Sequence, residues 1–151
     1  MMARLPPDRC RAAPIESTDE HRALLAGIDV SALGVSREKH HRYLAGDATM
    51  KGFLLYAGDA CAGYAYVSSF GHIGPVAVAT GQAVAPASAT ALALAAGTGA
   101  PQVSALFPGA SEAALTIATG AGMRINFPML LMSSREFGDW NRYLPRNPGF
   151  M

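Results

Sequence analysis

A chain of 151 residues, half hydrophobic and 15% charged, has the composition of one folded domain with a real core and not of a disordered segment. Its net charge of +1 gives no general attraction to nucleic acid or a lipid surface, so neither is expected as a partner. The prolines of "MMARLPPDRC" exclude a signal-peptide core, and Gly81, Gln82, Pro86, Ser88 and Thr90 break up the apolar run from Val76 to Ala96 that might otherwise span a membrane. Cys10 and Cys61 could form one bridge on paper, but two widely spaced cysteines read more naturally as reduced thiols of a cytoplasmic protein.

In chain order, residues 1–17 read as a loose arm in which Pro6, Pro7 and Pro14 oppose regular helix. Ser17 and Glu20 have capping-box spacing and open a short helix to about Ala26, with Gly27 as its stop. A second helix starts at Ser36, runs through "REKHHRYL" and ends at Gly46. The period then changes to two. "GFLLYA" (52–57) and "CAGYAYVSS" (61–69) flank Gly58-Asp59, a hairpin signal. Alternation puts Tyr64, Tyr66 and Ser68 on one face and Cys61, Gly63, Ala65 and Val67 on the other. "HIGPVAVA" (72–79) is a third strand, which should bulge or lose a neighbour at Pro75, a residue with no N–H.

A helix follows from about Pro86 to Ala96, closed by Gly97; strand, loop and helix in this order can deliver a phosphate onto a helix N-terminus. "QVSALF" (102–107) reads as a strand and "SEAALTIATGAG" as a helix with Ser111 near its cap. "MRINFPMLLMSS" (123–134) supplies one or two further strands, and residues 135–151 form an extended tail. No repeat or linker divides the chain.

This order of elements resembles the GNAT superfamily of N-acetyltransferases from about residue 18 to residue 134. More closely, "LGVSREKHHRYL", "GHIGPVAV", "SALFPGASEAAL" and "RYLPRNPGFM" are similar to the C-terminal half of two-domain GNAT-type proteins. The resemblance implies an α/β (α+β) fold: a mixed, mostly antiparallel sheet with helices on both faces and a splayed parallel strand pair. Acetyl-CoA would lie between the splayed strands, 76–79 and 102–107, touching the backbone of Val76 and Val78. The family's phosphate loop, Gln/Arg-x-x-Gly-x-Gly/Ala, finds its nearest match in "QAVAPA". Gln82 and Ala87 fit it and would bind the coenzyme. Ala85 replaces a glycine, and Pro86 removes an amide donor. Ser111 stands where the family has an Asn on the pantetheine arm, and Ala118 where it has the Tyr that protonates the leaving thiolate. Ala118 has no proton to give.

His72 could serve as general base toward an acceptor amine, or could simply order a turn after Gly71. Tyr64 and Tyr66 could line the acceptor pocket or cover sheet surface. Adjacent His40 and His41 cannot share a metal from one helix face, so no metal is expected. Arg124, Arg135, Arg142 and Arg146, with Trp140 and Tyr143, suit an interface or a solvated tail equally.

Two functions follow from the resemblance. One, which fold-level analogy favours, is acetyl transfer from acetyl-CoA to a small-molecule amine. The other is a non-catalytic ligand- or partner-binding module of GNAT-like fold, which Ala85, Pro86 and Ala118 favour. The expected first strand is weak in the proline-containing arm, which leaves an edge for a homodimer partner or a second GNAT domain to cover.

Overall fold

The computed structural model of the chain describes residues 8–149, and among them it holds four helices and six strands. β2 (Met50–Ala57), β3 (Ala60–Ser68) and β4 (His72–Val78) form the antiparallel meander that alternation predicts. The full sheet is mixed and mostly antiparallel, in the order β1-β2-β3-β4-β5, with β6 also on β4. α1 (Asp19–Leu33) and α2 (Glu38–Ala45) cover one face, and α3 (Val84–Ala96) covers the other with α4 (Glu112–Gly120) packed beside it.

The core has two halves, one on each side of the sheet. Ala65, Val67, Val76 and Val78 point toward α3, which meets them with Ala87, Ala91 and Ala95. These alanines lie at helical spacing, so the helix backbone approaches the sheet closely. On the opposite face Leu54, Tyr64 and Tyr66 meet Leu25 and Ile28 of α1 and Leu44 of α2. Alternation therefore holds from Tyr64 to Val67. The register shifts opposite Leu55 and Tyr56, and this places Cys61 with the tyrosines and Ala62 with Ala65, not Cys61 with Ala65 as expected.

Other boundaries differ from expectation for identifiable reasons. Thr18, not Ser17, caps α1, accepting a hydrogen bond from the His21 amide. The helix runs through Gly27 because Ile28, Asp29 and Ala32 still face the core, which outweighs one interior glycine. It stops at Gly34, whose φ of 80° is the left-handed cap conformation. Residues 11–14, expected within the loose arm, form β1 (Arg11–Pro14) antiparallel to β2, with Pro14 at the strand end where a missing N–H is tolerated.

The largest departures lie after α3. β5 is only Ser104–Ala105, far shorter than the expected 102–107. No strand forms between residues 123 and 134. The expected extended tail instead enters the sheet as β6 (Tyr143–Leu144). Among the described residues no helix is long and apolar enough to cross a membrane.

Candidate functional site

Pro75 marks a change of neighbour along one edge of β4. Before it, His72 and Ile73 pair in parallel with Ser104 and Ala105 of β5. After it, Val76 and Ala77 pair antiparallel with Leu144 and Tyr143 of β6. The sequence signal for a lost neighbour was sound, because β5 leaves β4 at this point. The space on that edge holds the chain's own C-terminal segment.

Each predicted coenzyme contact can be located against that segment. The Val78 amide donates to the Arg142 carbonyl at 2.9 Å. Val76 is fully buried and paired to Leu144. Ser111 precedes α4 but makes no side-chain cap bond; its hydroxyl donates to the Asn141 carbonyl at 2.9 Å. In the turn before α3, the Arg142 guanidinium donates to the carbonyls of Ala79 at 2.9 Å and Gln82 at 2.8 Å, and its Nε faces Asp139 at 3.4 Å. Ala87 is fully buried in the core under α3. Val76, Val78, Gln82 and Ser111 therefore share one feature: each is joined to residues 141–144.

A cation thus reaches this turn from 60 residues away in sequence. Arg142 is spent on carbonyls and on Asp139, which makes it a fastener of the tail. The first turn of α3 has no side-chain cap to occupy its amides, but Pro86 in that turn lacks an amide hydrogen, so one donor that an anion would use is missing.

His72 also binds the tail. Its Nε2 lies against the Arg146 carbonyl, which can only accept, so Nε2 carries the hydrogen. Its Nδ1 then accepts from the Ser104 hydroxyl at 2.9 Å. The ring cross-links β4, β5 and the tail, and neither nitrogen is left facing an acceptor amine. Ala118 of α4 is buried in the core on the α3 side of the sheet.

Tyr64 and Tyr66 are 1% and 3% exposed and line no open pocket. They belong to a network centred on Asp29, an acid with no exposed surface in α1. Its carboxylate accepts from the Tyr64 hydroxyl at 2.7 Å, from His41 Nε2 at 2.7 Å and from the Arg37 amide at 3.3 Å. His41 Nδ1 meets the Tyr66 hydroxyl at 2.8 Å. Arg37 donates to the Tyr143 hydroxyl and lies over its ring, 5.5 Å from the centroid.

Burial and the Asp29 charge raise the Tyr64 and Tyr66 phenols well above their ordinary value. Burial pushes Tyr143 up to about 12, against the opposing pull of Arg37. All three phenols therefore keep their protons at neutral pH; Tyr64 donates to Asp29, while Tyr143 accepts from Arg37. The cluster ties α1, α2, β3 and β6 together. One sequence signal pointed to it: a lone acid amid the apolar residues of "LLAGIDVSAL", which must find partners if it is buried.

Among the described residues no group of three His, Cys, Asp or Glu side chains could hold a metal ion. Comparison with protein-family models, with curated proteins and with solved structures finds no match for this chain.

Proposed function

We propose that this chain is a non-catalytic binding module of GNAT-like fold, acting through contact with a partner and not through acetyl transfer. The observation that carries this reading is the occupation of the β4 edge by residues 142–144. Val78 donates to Arg142 the backbone hydrogen that, in a transferase of this class, would be available to a bound coenzyme or a developing oxyanion. Three changes support the same conclusion. Ala85 and Pro86 weaken the phosphate loop, His72 is bonded at both ring nitrogens, and Ala118 is an apolar core residue.

The contact surface is the extended segment 123–132. Phe127, Leu130 and Met132 are 76%, 84% and 81% exposed, and Ile125 and Met129 stand out beside them. Apolar side chains concentrated in this way on one segment mark an interaction surface. The partner is a second copy of the chain, with a separate GNAT-like domain as the outcome if the chain alone stays monomeric.

Calorimetric titration with acetyl-CoA tests the central part of this reading. The dissociation constant is expected above about 100 μM, corresponding to about −5.5 kcal/mol. Low-micromolar binding accompanied by acetyl transfer to an amine would replace the module with an enzyme.

A further inference from the structure

The molecule has an opening beside the C-terminal end of α3. A cavity of about 630 Å³ lies between β2, β3 and the last turn of α3. That volume is within the range of small-molecule sites. Its apolar wall includes Phe53 from β2, Val67 from β3 and Leu94 from α3. Arg9 and Lys51 stand at its rim, and no carboxylate is among its lining residues. The nearest acid in sequence to Thr49 on the wall is Asp47, which is already engaged by the Thr49 hydroxyl and by Arg146. Among the described residues, neither Arg9 nor Lys51 has a carboxylate within ion-pair distance.

Two cations with no carboxylate in reach among the described residues and an apolar wall on the same cavity have one ligand chemistry in common.

We propose that this cavity binds a small amphiphilic carboxylate. The headgroup would face Arg9 and Lys51, while a short hydrocarbon chain lies against Phe53, Val67 and Leu94. The site is separate from the β4 edge and does not depend on whether that edge admits a coenzyme.

The test is titration of the full chain with octanoate, followed by calorimetry and by backbone amide NMR. Octylammonium, with the same tail and opposite charge, and acetate, with the headgroup alone, serve as comparison probes. Octanoate should bind saturably below about 1 mM, and the two other probes at least about tenfold more weakly. Amides of Val67, Ser68 and Ser69 should shift, while those of α1 stay in place. Lys51→Glu, an exposed change that leaves the core intact, should weaken octanoate at least about tenfold with unchanged thermal unfolding. Leu94→Trp should fill the apolar wall and remove binding. The proposal is overturned by no saturable octanoate binding up to about 10 mM, by equal binding of octylammonium, or by Lys51→Glu binding like the parent.

Discussion

An aspartate with no exposed surface, between Ile28 and Val30 on α1, persists only because every strong demand of its carboxylate is met. Tyr64 and His41 donate to it from two other elements, so Asp29→Ala removes the common acceptor of both. That substitution should cost about 3–5 kcal/mol in urea denaturation. Tyr66→Phe, which deletes one hydroxyl at the end of the chain of bonds, should cost only about 1 kcal/mol. Equal costs for the two would mean that Asp29 is not the centre of the network. His40, the neighbour of His41, gives the same face a pH dependence. Burial holds His40 down to about 4 from an ordinary value of 6.5; Arg37, His41 and Arg146 push the same way, and Asp29 opposes them. Between those two values the unfolded chain binds a proton that the folded chain refuses, so stability falls as pH drops from 6.5 to 4. Denaturation midpoints across that range should decline for the parent and flatten for His40→Gln. A parent whose stability rises on acidification would contradict the sign.

At the scale of elements, β6 is held by close backbone approach as well as by hydrogen bonds. A Cβ on Gly74 would lie 2.7 Å from the Pro145 oxygen and 2.8 Å from Arg146 Cα, at a φ of 138° that L side chains rarely adopt. Gly74→Ala should therefore loosen the tail and cost about 2 kcal/mol in thermal unfolding. A variant as stable as the parent would show that the tail does not rest on β4. Ala118→Tyr belongs to this scale as well. The family pattern places a proton donor there, but the side chain would enter the α3–α4 core, so the change should destabilise by about 1–3 kcal/mol and add no turnover. The elements legible in the sequence were those specified locally. Gly58-Asp59 turns the hairpin, Pro75 ends one pairing of β4, and the alanine-rich stretch to Ala96 forms α3. β1 and β6 were not legible, because Arg11–Pro14 and Tyr143–Leu144 become strands only by finding an edge far away in sequence. The reverse error has the same cause. "INFPMLLM" has strand-forming residues but pairs with no edge of the sheet.

For the whole molecule, the proposed partner-binding module rests on the exposed apolar side chains of 123–132 and on the closed β4 edge. Light scattering over a dilution series should give a dimer at about 50 μM, and Leu130→Asp should return it to monomer with its unfolding temperature unchanged. A monomer at every concentration assigns the surface to a different domain. His72, Val78, Gln82 and Ser111, singled out in the sequence as residue types, all meet residues 141–146. What joins them is the tail, and nothing in the spacing of Arg142 announced that it would fasten to Ala79 and Gln82. Amide hydrogen exchange at Val78, with and without about 1 mM acetyl-CoA, tests the closed edge most directly. Strong protection is expected, equal to that of other buried β4 amides and unchanged by the coenzyme. Rapid exchange at Val78 in the free protein, or loss of protection at residues 143–144 as acetyl-CoA is added, would contradict it.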